Sequence, residues 1–225
     1  KIEMPLLNDV LFFPEHWGAG ETPEVQYALE LPAGIPPADY RIELSLFDEA
    51  GGERLPLLDS GGDFAGVFFT LAPVAIPAPD EPLALTGLYL PVPLNAGWEN
   101  GTLTLLGYDP PASSVTAGDK LNWELFWLPH GQLPAGLTLQ VTLGDGQAIS
   151  LPISRTPSES WLIDGLLNEK YSIQVPPQQP AGAVELSIRP ARADGAPLDG
   201  PSVSLGRVEI KTTDRLFELP ENIGT

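Results

Sequence analysis

The stretch Leu137-Thr-Leu-Gln-Val-Thr-Leu143 alternates apolar and polar residues with a period of two. The same alternation recurs in Tyr40-Arg-Ile-Glu-Leu-Ser-Leu46 and in Tyr171-Ser-Ile-Gln-Val175. Such a pattern is typical of an antiparallel strand that buries one face and exposes the other to solvent. The three stretches therefore predict an all-β protein built from sheets that pack on one side.

Turn residues separate these runs and set their spacing. Leu143-Gly-Asp-Gly146 and Ala193-Asp-Gly195 read as hairpin turns, at the spacing of a β-sandwich rather than of strand–helix–strand units. The chain also carries 26 prolines. Because each proline inside a helix costs about 3 kcal/mol, helices are expected to be no longer than a turn or two.

Charge and composition limit the possible partners. The 225 residues include 30 acidic and 11 basic side chains and no cysteine, and the net charge is -19. This charge repels phosphate, so nucleic acid and anionic membrane surfaces are not expected partners. The absence of cysteine excludes disulfides, thiolate metal sites and cysteine catalysis. The two longest uncharged stretches, residues 64–79 and 82–98, hold three prolines each, so no direct membrane insertion is expected.

An internal repeat organises the chain. Tyr27-Ala-Leu-Glu-Leu-Pro32 matches Tyr171-Ser-Ile-Gln-Val-Pro176 at an offset of 144 residues. Further on, Val74-Ala-Ile76 matches Val208-Glu-Ile210 at an offset of 134. The change in offset predicts that the first copy carries ten more residues in its middle loops.

The repeat leads to a prediction of the domain boundaries. A long run of strands precedes Trp161 in the second copy, whereas only 16 residues precede Trp17, its counterpart. The first copy is therefore expected to lack its beginning. The predicted architecture is two tandem immunoglobulin-like or jelly-roll-like antiparallel β-sandwiches, the first truncated or reduced. The expected boundaries are a first sandwich at 1–82, a proline-rich linker at 83–98, a second sandwich at 99–212 and the start of a following linker at 213–225.

Several motifs resemble one family. The stretch Tyr40-Arg-Ile-Glu-Leu-Ser-Leu-Phe-Asp-Glu-Ala-Gly-Gly-Glu-Arg-Leu55 is similar to a pattern in β-sandwich accessory domains of bacterial multi-pass membrane proteins. Those membrane proteins are of the dolichyl-phosphate-mannose-protein mannosyltransferase-like type. Leu105-Leu-Gly-Tyr-Asp109, Gly118-Asp-Lys-Leu121 and Trp127 resemble the opening of the same domains. Where the family often has a histidine in a "V-H-L-x-D" strand, this chain has Val141-Thr-Leu-Gly-Asp145.

The resemblance implies a location and a kind of role. Such domains lie at the exported ends of their proteins, so the chain is expected to be bacterial, extracytoplasmic and at the cell surface or on the secreted side. Its main partner would be the remainder of its own larger polypeptide. The catalytic membrane part of those proteins is absent from these residues, so the resemblance implies no activity here.

Candidate catalytic and metal-binding residues are few. His16 and His130 are too few for a metal site or a Ser-His-Asp triad, and each is expected to be structural or exposed. The plentiful carboxylates include Glu43 and Glu124 at outward strand positions, where a solvated role is favoured. No enzyme activity and no cofactor are predicted.

Calcium binding is a further possibility, because Ca²⁺ takes oxygen ligands. Asp59-Ser-Gly-Gly-Asp63, or Asp145 with its flanking glycines, could supply two or three of the six to eight that it requires. Ordinary turn chemistry is favoured at both places. No metal site is predicted.

Exposed aromatic rings raise the question of carbohydrate binding, since sugar faces stack on them. Trp123 and Trp127 lie on one face of a strand with other apolar residues, so they are expected in the core. Trp98 precedes the Asn100-Gly101 turn and is the candidate carbohydrate-binding residue. Asn100-Gly-Thr102 also matches the glycosylation sequon.

Two functions are therefore compatible with the sequence. The favoured one is a non-catalytic extracytoplasmic module with a structural, spacing or interaction role in a larger membrane or surface protein. The alternative is a carbohydrate-binding module that uses exposed aromatics, with glycans as partners.

The truncation of the first copy has a further implication. The side chains of Tyr40, Ile42, Leu44 and Leu46 would lack part of the sheet that should cover them. Residues 1–13 and 83–94 are the favoured covers, and a second molecule is the alternative.

Overall fold

The computed structural model describes residues 18, 20, 24, 26–47 and 52–212. Predictions that concern His16, Trp17, residues 1–13 and residues 213–225 lie outside the described residues. The chain divides into two compact units. Unit 1 comprises Lys1–Leu31 and Asp39–Ile76, and unit 2 comprises Pro32–Ala38 and Pro77–Thr225.

The described part of unit 1 contains short two-stranded ladders. Strand β1 pairs with β6, β2 with β5, and β3 with β4; their bounds are β1 Ala38–Tyr40, β2 Glu43–Leu44, β3 Leu57–Leu58, β4 Phe64–Gly66, β5 Phe69–Thr70 and β6 Val74–Ile76. No described residue of unit 1 is buried. Because isolated two-stranded ladders are marginally stable in water, these residues do not form a core of their own.

Longer strands form unit 2. Among the described residues of this unit, one 3-10 turn, Ser158–Ser160, interrupts them. None of the helices in the described part of the chain is long and apolar enough to cross a bilayer. The strand bounds are β7 Val92–Trp98, β8 Leu103–Asp109, β9 Ser114–Thr116, β10 Lys120–Pro129, β11 Thr138–Leu143, β12 Ile149–Pro152, β13 Leu167–Gln174, β14 Gly182–Ala191 and β15 Val203–Lys211.

Two sheets make unit 2 a β-sandwich. One sheet has the strand order β13-β10-β8-β7, and the other has the order β12-β11-β14-β15-β9. All pairs are antiparallel except β15 with β9. Inward residues of both sheets belong to one apolar cluster. The predicted all-β, sandwich fold class is therefore confirmed.

Strand β10 supplies the centre of this core. Leu121, Trp123, Leu125 and Trp127 alternate along it, and each is at most 3% exposed. The expectation that the two tryptophans lie in the core is confirmed. Period-two alternation was sufficient to identify them because β10 is a central strand of its sheet.

The end of the predicted linker is instead part of unit 2. Val92–Trp98 forms β7, which pairs with β8. The prediction of a linker over 83–98 is therefore wrong for residues 92–98. Val92, Leu94 and Ala96 are half-buried and alternate with exposed residues. Pro93 lies inside the strand, and it is tolerated because β7 is the edge of its sheet, where one N–H can be lost.

Residues 32–38 also fall outside the predicted boundary, since they belong to unit 2 rather than to the first copy. The carbonyl oxygen of Gly34 accepts a hydrogen bond of 2.7 Å from the Asn168 N–H. A Cβ at Gly34, where φ is +75°, would lie 2.9 Å from Leu166 Cγ. Glycine therefore permits the close approach that joins this loop to β13.

The ladder of β2 and β5 has the same register as part of the β14 and β15 ladder. Adding 144 to the residue numbers of β2 and 134 to those of β5 gives residue pairs that are observed between β14 and β15. The pair Glu43↔Thr70 corresponds to Ser187↔Ser204. The pair Leu44↔Phe69 corresponds to Ile188↔Val203.

The backbone hydrogen bond that follows the β2–β5 ladder also has a counterpart in unit 2. The Leu55 N–H donates to the Leu46 carbonyl, and the Leu198 N–H donates to the Pro190 carbonyl. Between Leu55 and β5 unit 1 has an additional hairpin, β3 with β4. The surplus loop residues expected in the first copy therefore fall mainly in this hairpin.

Replacing Gly107 in β8 by alanine tests the assignment of β7 to unit 2. A Cβ at Gly107 would lie 2.6 Å from the Val92 carbonyl oxygen, so G107A should lower the free energy of unfolding by about 1–3 kcal/mol. Gly97 in β7 is the control, because its nearest Cβ contact would be an ordinary 3.6 Å, and G97A should be neutral or slightly stabilising. Urea unfolding measures both, and equal values for the two variants would contradict the assignment.

Candidate functional site

Strand β13 places an acidic residue at an inward position. Leu167, Glu169, Tyr171 and Ile173 alternate along the strand and are all buried. Glu169 is 3% exposed. A carboxyl group at a core position costs free energy unless it is hydrogen-bonded, so its partners decide its role.

Those partners belong to the segment that follows β12. The Ser154 hydroxyl donates to Glu169 Oε1, and the Arg155 N–H donates to the same oxygen at 2.9 Å. The Ser154 oxygen in turn accepts the Thr156 N–H at 3.0 Å. One carboxyl group of the four-stranded sheet therefore holds a loop that leaves the other sheet.

Tyr171 holds the same loop one residue earlier. Its hydroxyl donates to the Ile153 carbonyl and accepts the Trp127 Nε1–H at 3.0 Å. Its ring stacks on Trp123, with centroids 5.8 Å apart and planes inclined by 12°. We call Glu169, Tyr171 and residues 153–156 the β13 clamp.

Burial shifts both ionisable groups of the β13 clamp. Burial raises the pKa of the Glu169 carboxyl above its ordinary 4.5, and the hydrogen bonds from Ser154 and Arg155 oppose that rise. Burial raises the pKa of Tyr171 well above its ordinary 10.0, so its hydroxyl stays protonated and can donate. Displaced pKa values often mark catalytic sites, but structural networks produce them as well.

A shallow depression lies beside the β13 clamp. It has a volume of about 500 Å³ and is lined by residues 136–138 and 150–159. Ser154 lines it, but the hydroxyl already donates to Glu169 and accepts from Thr156. Both hydrogen-bonding roles of this hydroxyl are thus used within the fold, and the arrangement fastens a loop.

Trp98 does not offer a face to a sugar. It is 0% exposed, and its Nε1–H donates to the Pro201 carbonyl at 2.8 Å. A Cβ at Gly200 would lie 2.3 Å from Trp98 Cδ1, so this glycine packs directly on the indole ring. The prediction of carbohydrate binding at Trp98 is therefore wrong, because a loop a hundred residues away in sequence covers it.

The other described tryptophans do not form a platform either. Trp123 and Trp127 are buried in the core. Trp161 is half-buried and packs against the core, and its Nε1–H donates to the Thr156 carbonyl at 3.3 Å. In the described part of the chain, no tryptophan therefore presents an exposed face on which a sugar could stack.

His130 lies at the surface and pairs with an aspartate. Its Nδ1 is 2.8 Å from Asp164 Oδ1, and both side chains are exposed. The Asp164 N–H donates to the Pro129 carbonyl, and the φ angle of Asp164 is +57°. The pair ties two loops together, consistent with the exposed loop position expected for this histidine.

The candidate calcium ligands serve turns. Asp59 Oδ1 accepts the N–H groups of Gly61 and Asp63 at 2.8 and 3.0 Å, which closes the β3–β4 hairpin. Asp145 lies exposed in the turn between β11 and β12. Across the described residues, no group of three His, Asp or Glu side chains is placed to hold a metal ion.

The outward strand carboxylates belong to different units. Glu43 is exposed on β2 of unit 1. Glu124 on β10 of unit 2 forms an ion pair of 2.7 Å with Lys170 on β13.

The β13 clamp is not among the sites predicted from the sequence. Its signal was an acidic residue in phase with inward apolar residues, since Glu169 is two positions before Tyr171. Such a residue breaks the period-two rule and is unfavourable unless a partner is present. Its hydrogen-bond donors lie 14 and 15 residues away, so the pairing itself could not be read from the strand.

Replacing Glu169 by glutamine should change how stability depends on pH. Between the ordinary pKa and the raised one, the folded state holds more protons than the unfolded state, so the free energy of unfolding of the native protein falls as pH rises. Glutamine keeps the carbonyl acceptor and does not titrate. E169Q should therefore gain stability relative to the native protein as the pH rises above 4.5, the ordinary pKa of the carboxyl.

Urea unfolding at several pH values measures this difference. Glu185→Gln serves as the control, because the Glu185 side chain is exposed on β14. A difference between E169Q and the native protein that stays constant with pH would contradict the interpretation.

Comparisons with known proteins give little further guidance. No family model matches the chain, and no curated protein matches it. Among solved structures, the chain is similar to the crystal structure of a Niemann-Pick type C2 protein from the Japanese carpenter ant. The two share 11% identity over 44% of this chain and 79% of that chain, with a TM-score of 0.31. A similarity at this TM-score carries no inference about function.

Proposed function

We propose that the chain is a non-catalytic β-sandwich module of a larger membrane or surface protein, with a structural, spacing or interaction role. The observation that carries this proposal is the β13 clamp. Glu169 and Tyr171, whose pKa values are clearly displaced, both bond to the loop at residues 153–156. Groups used to fasten the fold are not available for chemistry on a substrate.

The motif residues that resemble accessory domains support the same proposal. Gly107 lies where a Cβ would meet the Val92 carbonyl, and Gly118 has φ at +94°. Leu105, Leu121 and Trp127 are buried in the core. These motif positions serve packing and turns, which is consistent with a domain selected for its scaffold.

The proposed location is extracytoplasmic and bacterial, at the cell surface or on the secreted side. The resemblance to exported accessory domains supports it. The excess of acidic residues favours solubility and fits a module that neither inserts into a membrane nor binds nucleic acid. The proposed partner is the remainder of its own larger polypeptide.

A ligand panel tests the non-catalytic, scaffold role of unit 2. A ligand present at about 100 times its dissociation constant stabilises a protein by about 2.7 kcal/mol, which raises the melting temperature by several degrees. We expect no such shift in the melting of unit 2 with a saccharide panel, Ca²⁺ or nucleotides. A reproducible rise of several degrees with one compound would identify a ligand site and contradict the proposal.

Protease treatment of intact cells tests the location. The natural full-length protein should lose the epitopes of this module when protease is added outside the cells. An abundant cytosolic protein in the same cells should remain intact as the control. Protection of the module until the cells are lysed, in spheroplasts as well as in intact cells, would place it in the cytoplasm and contradict the proposal.

A further inference from the structure

Residues 154–156 lie between two fixed points of unit 2. On one side, Ile153 is 1% exposed, and its N–H donates to the Leu137 carbonyl at 3.2 Å. On the other side, the Ser158 hydroxyl donates to the Pro134 carbonyl at 2.6 Å and accepts the Leu137 N–H at 3.3 Å. The three residues between these points are exposed or half-buried, so they can move without displacing the core.

One carboxyl group holds this short segment on β13. The Ser154 hydroxyl and the Arg155 N–H both donate to Glu169 Oε1. The Thr156 N–H donates to the Ser154 oxygen, so it is held through the same group. Within the described residues, the hydrogen bonds from residues 154 and 155 to β13 therefore end on a single oxygen atom.

The charge of that carboxyl group affects how firmly the segment is held. Glu169 is 3% exposed, and burial penalises its ionised form. This penalty is the largest influence on the pKa of Glu169 and outweighs the hydrogen bonds from Ser154 and Arg155, which favour ionisation. Opening of residues 154–156 would admit water to the carboxyl group. The ionised form therefore gains more from opening than the protonated form does.

We propose that the β13 clamp is a pH-responsive latch, in which ionisation of Glu169 releases residues 154–156 from β13 while both sheets stay folded. Residues 150–159 line the depression of about 500 Å³, so their release changes the shape of this surface. Folded proteins open locally at a lower free energy than they unfold, and a titrating group can bias such an opening. The latch goes beyond the proposed scaffold role, which requires no moving part.

The charged groups nearest to Glu169 do not replace it as the trigger. Arg155 on the segment lowers the pKa of Glu169 but keeps its own charge throughout. Tyr171 stays protonated because burial raises its pKa well above 10.0. Lys170 alternates with Glu169 on β13, and it pairs with Glu124 on the exposed side of the sheet.

The elements that pack around the segment add few other titrating groups. Strand β12, strand β11 and residues 131–138 contain no ionisable side chain. Glu159 lines the depression and is exposed. His130 is paired with Asp164 in the loops that precede β13. Glu159 and His130 are therefore the groups that the controls must separate from Glu169.

The direction of the pH dependence follows from linkage. In the open state the carboxyl should titrate near its ordinary pKa of 4.5, and in the closed state its pKa is higher. The opening equilibrium constant should therefore rise by up to tenfold per pH unit between the two pKa values and be constant outside them. Its total change is ten raised to the power of the difference between the two pKa values.

Amide hydrogen exchange of the full chain measures the opening, with NMR resolving each amide and each rate divided by its intrinsic rate at the same pH. The protection factors of Arg155 and Thr156 should fall as the pH rises above 4.5. Titration of the Glu169 carboxyl carbon gives the closed-state pKa, from which the size of the fall is calculated. Val141 is the reference for global unfolding, since it is 0% exposed in β11, between β12 and β14. Arg155 and Thr156 should be less protected than Val141 at every pH.

Two variants separate Glu169 from its neighbours. E169Q should make the protection factors of Arg155 and Thr156 independent of pH, because glutamine accepts the same hydrogen bonds and does not titrate. The matched control, E159Q, removes an exposed carboxyl from the same depression and should leave the pH dependence unchanged. His130 is present in both variants, so its titration would appear equally in each.

Several results would overturn the latch. Protection of Arg155 and Thr156 equal to that of Val141 at every pH would mean that residues 154–156 open only when the whole unit unfolds. Protection that stays constant with pH, or that changes with pH in E169Q as it does in the native protein, would exclude Glu169 as the trigger. A Glu169 carboxyl that titrates at or below 4.5 would do so as well.

Discussion

Burial of one face of each sheet against the other is the constraint on which unit 2 depends. Strand β10 alone contributes Leu121, Trp123, Leu125 and Trp127 to the shared core. The opposite faces remain in solvent, where the many acidic residues can lie without a desolvation cost. Unit 1 obeys the same alternation, but its described residues lack a facing sheet.

Within unit 2, several buried polar groups tie distant segments together. Glu169 accepts two hydrogen bonds from the loop after β12, and Tyr171 bonds to the carbonyl of Ile153 in the same loop. Burying a carboxyl group is costly, so an apolar residue could have filled that volume more cheaply. The polar contacts instead specify one position for the loop. Trp98 does the same at another corner through the carbonyl of Pro201.

Local patterns were sufficient for the fold class and for the core of β10. They were also sufficient for the turn that joins β11 and β12, which is a hairpin as expected. They failed where the outcome depends on segments far apart in sequence. Gly200 and Pro201 bury Trp98 from a hundred residues away, and the edge position of β7 makes Pro93 acceptable inside a strand. The role of Glu169 likewise depends on donors outside its own strand, so its inward phase signalled a partner without identifying it.

The prolines at the borders of the two sheets have a consequence for solubility. An edge strand presents unpaired N–H and C=O groups that can recruit another chain into an aggregate. Pro93 lies in edge strand β7, and Pro152 ends edge strand β12. Because proline has no backbone N–H, each of these edge strands has one donor fewer. The prolines that concealed β7 in the sequence therefore also make the edge strands poorer templates for another chain.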